Sequence, residues 1–351
     1  MSKSGVFATS ARCAGSFRAI VLLAVVAGCG GQIGTAQAAA KISVLGNDSC
    51  AIATDGRVQC WGDNAAYDGA GAGRAMDVLG FPADVTGLAG SLPELCALTA
   101  TGALWCQGNR PGNGTAHAAL PVIPTGMDSG VVDVARNYQQ VCVVKDDGSV
   151  WCWGYNYYGL GDGSTINSNV PVQILPAAFG AAGVAVGNYH GCAWNQTGEG
   201  RCWGDNYYGQ LGDGGGNHSE ASPVTVAGLG GIQAMSVSIY HTCALIAGGS
   251  VYCWGSNHQG QLGSDTLDDA ATPVLATRFG PGGNQGVFTG GHVSCAQPVD
   301  GGFCFRRVRR KGKRVPEILR ISGHKQGMGR FNAADAERAE HGAEVDRGVG
   351  H

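Results

Sequence analysis

The sequence predicts an all-β fold, a β-propeller of repeated four-stranded blades, from three recurring features. Twelve of the 14 cysteines fall into six pairs: Cys50/Cys60, Cys96/Cys106, Cys142/Cys152, Cys192/Cys202, Cys243/Cys253 and Cys295/Cys304. A glycine stands six residues after the first cysteine of every pair, from Gly56 to Gly301. A Trp-Gly-x-Asn turn follows the second cysteine in four of the units, as in Trp203-Gly204-Asp205-Asn206 and Trp254-Gly255-Ser256-Asn257. Five pairs are spaced by ten residues and the last by nine, while first members recur after 46, 46, 50, 51 and 52. Constant spacing within a unit and variable spacing between units describe a repeat with variable surface loops.

The paired cysteines define a hairpin. Glycine at the end of a three-residue loop supplies positive φ for a bulge-type turn, which sets the first cysteine opposite the second. Cysteines facing each other across an antiparallel pair are close enough to bridge. Each unit is therefore expected to hold its own disulfide, the shortened sixth pair being the weakest case. Zinc thiolate pairs come at a spacing of two to four residues, not nine.

Beyond each hairpin come Gly209-Gln210-Leu211-Gly212 and Gly260-Gln261-Leu262-Gly263, with the shorter Gly159-Leu160-Gly161 in the third unit. Pro-Val steps at Pro121, Pro171, Pro223 and Pro273 mark strand starts or edges. About four short strands in each unit of this length make one propeller blade. The whole pattern, best preserved in His241–Gly263, resembles the regulator of chromosome condensation (RCC-type) repeat. The resemblance covers about residues 41–304 and implies blades set in a ring, usually seven, of which this chain shows six.

Both ends depart from the repeat. Lys3, Arg12 and Arg18 precede an apolar run of ten, Ala19–Gly28, too short to cross a bilayer but suited to a signal peptide. Val26-Ala27-Gly28-Cys29 resembles a bacterial lipobox, which implies lipidation of Cys29 after removal of the preceding residues. Cleavage after Ala38, giving ordinary secretion or a periplasmic protein, is the competing reading. The expected layout is a signal peptide over 1–29, a Gly/Ala linker over 30–40, a propeller over 41–305 and a basic tail over 306–351. The expected address is the outer membrane or cell surface. Residues 306–351 carry 12 Lys/Arg against 6 Asp/Glu, and the other 305 residues carry 11 against 20. Three readings of the tail stay open: a basic arm for nucleic acid or anionic lipid, a solvated disordered segment, or a shifted reading frame.

No catalytic motif emerges, so the chain is not expected to be an enzyme. His190 and His241 stand at equivalent repeat positions, two residues before a cysteine, and are expected to bond to a neighbouring turn. The Asp-rich loops at Asp162–Ser164 and Asp213–Ser219 are ordinary strand connections, so no metal or cofactor is expected. The acidic body argues against nucleic acid as a partner. Tyr157, Tyr158, Tyr207 and Tyr208 lie beside a loop glycine and are the candidate binding residues, because tyrosine suits interfaces. A second set, Tyr138, Tyr189 and Tyr240, is expected to pack against the next blade. The functional expectation is an exported binding module that takes a protein or glycan on its blade loops. The alternatives are guanine-nucleotide exchange, which the resemblance implies only by fold analogy, and a propeller-based carbohydrate-active enzyme.

Overall fold

A computed structural model describes residues 42–62, 75–280, 282–298, 302–310 and 313–321. The proposed signal peptide, Cys29 and the linker lie outside the described residues, as do 322–351. The described chain forms six four-stranded antiparallel sheets, each a simple meander in sequence order. Blade one comprises β1 (Ile42–Leu45), β2 (Asp48–Ile52), β3 (Val58–Gly62) and β4 (Met76–Asp77). Blade two comprises β5 (Val85–Ser91), β6 (Glu94–Thr99), β7 (Leu104–Asn109) and β8 (His117–Val122). Blade three comprises β9 (Val131–Arg136), β10 (Gln140–Lys145), β11 (Val150–Gly154) and β12 (Ser168–Leu175). Blade four comprises β13 (Ala181–Val186), β14 (His190–Asn195), β15 (Gly200–Asp205) and β16 (Ser219–Thr225). Blade five comprises β17 (Ile232–Val237), β18 (His241–Ile246), β19 (Val251–Gly255) and β20 (Ala270–Leu275). Blade six comprises β21 (Asn284–Gly290), β22 (Val293–Pro298), β23 (Gly302–Arg310) and β24 (Lys313–Ile321).

The hairpin expected from the cysteine spacing joins the second and third strands of each blade. Gly56 closes the first such loop at φ +83°, and the Ala53 N–H donates to the Arg57 carbonyl. The register that results sets Cys50 opposite Cys60 and Cys243 opposite Cys253. Disulfides join Cys50–Cys60, Cys96–Cys106, Cys142–Cys152, Cys192–Cys202 and Cys243–Cys253, with Cα atoms 4.0–4.1 Å apart. In blade six the backbone register places Cys295 opposite Cys304.

The first strands of successive blades pack against one another from β1 through β21, so each blade lays one face on the next. This packing explains two repeat residues at once. Trp153, Trp203 and Trp254 are fully buried. Each indole lies on a loop glycine of the preceding blade: Gly112, Gly161 and Gly212 respectively. A Cβ at Gly212 would stand 2.6 Å from the Trp254 Nε1, and the residue holds φ +74°. Trp61, in the first described blade, is only half-buried.

Gly212→Ala is expected to cost about 2–4 kcal/mol, from positive φ and overpacking together. Gly214→Ala, at φ +87° with its nearest neighbour 3.7 Å away, should cost only the backbone part. Urea unfolding midpoints of the two variants measure the difference.

The C-terminal boundary differs from the sequence expectation. Residues 306–310 and 313–321, assigned above to the basic tail, are strand and complete blade six as β23 and β24. Backbone pairing with β22 needs no Trp-Gly-x-Asn signature, so the loss of that motif at Cys304 did not end the sheet.

Candidate functional site

In a meander, the turns after the first strand and the loops after the third strand emerge at the same end of the fold. At this end the loops are scaffolded by the repeated asparagine. Asn206 is fully buried; its Oδ1 accepts the Leu211 N–H at 3.0 Å, and its Nδ2 donates to Asp213 Oδ1 at 3.0 Å. Asn257 repeats the arrangement, accepting from the Leu262 N–H and donating to Ser264 Oγ and the Thr266 carbonyl. Gln210 Oε1 accepts the Tyr208 N–H at 2.8 Å, and Gln210 Nε2 donates to Asp205 Oδ2 at 2.7 Å. Burial raises the Asp205 carboxyl above its ordinary range, against the pull of these bonds. With Asn206 and Gln210 tied inward, Tyr207 is turned out between them, as Tyr157 and Tyr158 are after the buried Asn156. Tyr157 is 79% exposed, Tyr207 60% and Tyr158 36%.

The two sets of tyrosines that the sequence reading separated meet in one aromatic arc. Tyr158 lies 5.0 Å from Tyr189, and Tyr189 lies 5.5 Å from Tyr240 in the next blade. Tyr208 stands edge-on to Tyr240 at 5.4 Å and to His258 at 5.7 Å. Tyr157 and Tyr207 flank the arc beside Tyr158 and Tyr208, and His292 of blade six stacks on Tyr240 at 6.4 Å. Tyr189 and Tyr240 do pack against the neighbouring blade as expected, yet both stay partly exposed and join the loop tyrosines. Burial, then the neighbouring Tyr189, push the Tyr240 phenol up, so it stays neutral near pH 7. The hydroxyl of Tyr138, the third member of that set, fills the space that a Cβ at Gly46 would take. In the loops at this end the Arg110 guanidinium lies over the Tyr155 ring, 4.5 Å from its centre. Arg110 Nη1 donates to Asn169 Oδ1.

His190 and His241 are enclosed in inter-blade relays. His190 Nε2 bonds to Thr242 Oγ1 at 2.7 Å, and Thr242 Oγ1 donates to the Gln210 carbonyl at 2.9 Å. His241 Nε2 bonds to Ser294 Oγ at 2.9 Å, and Ser294 Oγ donates to the Gln261 carbonyl at 2.7 Å. Since each hydroxyl gives its proton to a carbonyl, each imidazole donates from Nε2. Both rings are fully buried, and burial depresses each to about 3. They bind the next blade, as the sequence reading expects of that position, though through a strand hydroxyl.

Two polar features escaped the sequence reading. Asp133 is buried in β9; its Oδ2 accepts the Val184 N–H of β13 at 3.1 Å and its Oδ1 accepts the Val134 N–H. Burial raises its carboxyl to about 7. Arg136 is also buried, with its guanidinium donating to Cys96 Sγ and the Asn109 carbonyl, and burial lowers it to about 10. Neither stands in a repeat motif, so periodicity gave no signal for them. In and beside the Asp213–Ser219 loop, Asp213, His218 and Glu220 place ligand atoms within 4.8 Å of one another. Those atoms are already engaged: His218 Nε2 with Glu220 at 2.9 Å, and Asp213 Oδ1 with Asn206 and the Gly215 N–H.

Comparison with known proteins places this architecture. Residues 131–160 and 232–261, and separately 147–194, 202–245 and 248–297, match the regulator of chromosome condensation (RCC1) repeat. Yeast RCC1 (Prp20), in its crystal structure with Kap60, superposes with a TM-score of 0.63 at 19% identity, over 76% of this chain and 69% of that one. Human WBSCR16 superposes with a TM-score of 0.60 at 23% identity, over 71% and 69%. A structure of Prp20p from Saccharomyces cerevisiae, whose description names binding to Gsp1p and histones, gives 0.57 at 19%, over 70% and 65%.

Proposed function

The chain is a β-propeller of the RCC-type repeat family, and from that premise we propose that it is a non-enzymatic binding module for a protein partner. The observation that carries the reading is the aromatic arc: tyrosines from blades three to five, about fifty residues apart in sequence, present one contiguous and partly exposed surface. Tyrosine offers apolar area and a hydroxyl at low entropic cost, the combination that dominates interface hot spots. The buried relays leave His190 and His241 no role at a reacting substrate. Yeast RCC1 (Prp20) is described with Kap60 bound to it and with binding properties to Gsp1p and histones, which supports a protein partner over a small molecule. We place this activity outside the cytoplasm, with the polypeptide anchored through a lipid on Cys29, because of the amino-terminal apolar run and the cysteine that abuts it.

Affinity capture from an extracellular or envelope fraction tests the reading. The wild-type chain is expected to retain a discrete protein, and the Tyr157→Ser/Tyr207→Ser double variant to lose it at least about tenfold. Capture that is equal for both chains would move the site off the arc. Retention of a glycan in place of a protein would favour the carbohydrate reading. Nucleotide exchange on a small GTPase, the alternative by fold analogy, is checked by adding the chain to a GTPase loaded with fluorescent nucleotide; no acceleration is expected.

A further inference from the structure

We propose that the aromatic arc receives a lysine- or arginine-rich segment of the partner, a specificity that rests on the binding reading above. The three loops that frame the arc, residues 155–168, 205–220 and 256–270, contain one, three and three Asp/Glu residues and no Lys or Arg. Asp268 and Asp269 are exposed, and Glu220 is half-buried. Part of this charge is committed to structure: Asp265 pairs with Arg278 at 3.0 Å, and Asp213 ties down its own loop. Glu220 pairs with His218 at 2.9 Å and Asp269 lies 3.5 Å from His258, while Asp162, Asp205 and Asp268 have no ion-pair partner among the described residues. Carboxylates around exposed phenol rings favour a cation twice over, through Coulomb attraction and through the negative ring faces.

This end of the fold already holds one cation in that way, the Arg110 guanidinium over Tyr155. A neutral or anionic partner segment would instead desolvate the carboxylates that lack an ion-pair partner without supplying a cation, at a cost in affinity.

The chain also carries a basic segment of its own. β23 and β24 run nine residues each, and their hairpin end, where Arg310 pairs with Lys313, lies at the same end of blade six as these loops. Between Arg306 and Arg314 seven of nine residues are Lys or Arg. That hairpin is therefore the alternative occupant, and the experiment has to separate it from a free partner.

Isothermal titration of the full chain with decalysine, and with decaglutamate as the control, supplies the test. Decalysine is expected to bind and decaglutamate not to. Binding should weaken at least about tenfold in Tyr157→Ser/Tyr207→Ser, several-fold in Asp268→Asn/Glu220→Gln, and steeply with added salt. Absence of decalysine binding, or binding that the tyrosine changes leave unaltered, overturns the proposal. Binding seen only after the seven hairpin basic residues are replaced by serine also overturns it, because the arc is then filled from within. If a native protein is captured through Tyr157 and Tyr207 while decalysine fails to bind, the binding module stands and only its cationic specificity falls.

Discussion

Replacing Trp254 by alanine is expected to destabilise the chain by about 3–5 kcal/mol, the range for truncating a large buried aromatic. The indole is fully buried and packs in a cluster with Trp194, Leu211, Val226, Ile232 and Met235, spanning blades four and five. It covers Gly212, so its loss opens a cavity between two sheets where neither can move in without displacing the loop that carries Tyr207 and Tyr208. Trp61→Ala is the internal comparison: the same residue type at the same repeat position, but half-buried, and so expected to cost less than half as much. Urea unfolding followed by fluorescence and by far-ultraviolet dichroism measures both. Equal losses for the two variants would show that the cross-blade seat does not carry the stability assigned to it.

Acid is expected to unfold the protein well before ordinary carboxylates are fully protonated. His190 and His241 titrate near 6.5 in an unfolded chain but only at about 3 in the folded one, because burial opposes the charged form. Unfolding therefore takes up two protons between those values, and stability falls as the pH drops from about 6.5 towards 3. The limit is about 5 kcal/mol for each ring. Asp133 acts in the opposite sense. Its carboxyl, raised to about 7 from 3.8, releases a proton on unfolding over that interval, so its contribution falls as the pH rises, by up to about 4 kcal/mol. Two histidines outweigh one aspartate, which places the stability maximum near pH 6.5 with a steep acid side. In the His190→Gln/His241→Gln variant the acid side should flatten or reverse between pH 7 and 4.5, leaving the slope of Asp133. Denaturant midpoints across that range decide it; an unchanged slope in the variant would remove the histidines as the cause.

The local part of this architecture was legible in the residues themselves. Cysteine spacing, the glycine six residues on, and the Trp-Gly-x-Asn turn describe a hairpin and its loop, and these depend on contacts between near neighbours in the chain. Five disulfides and all six sheets follow from them. The reach of blade six was not legible, because β23 and β24 pair through backbone groups that impose no side-chain signature. Tyr157, Tyr158, Tyr207 and Tyr208 were visible as loop residues, but Tyr189 and Tyr240 looked like packing residues because nothing in a repeat tells how far one blade rotates against the next. That rotation brings rings from different blades to within 5.0–5.5 Å of each other and makes a surface of them. The same rotation aims His190 at Thr242 and Asp133 at the Val184 amide, partners about fifty residues away. Sequence alone determined the blade, since period, turn and disulfide are short-range. Only the stacking of blades, a matter of side-chain volume at each seam, decided which residues of different blades share a site.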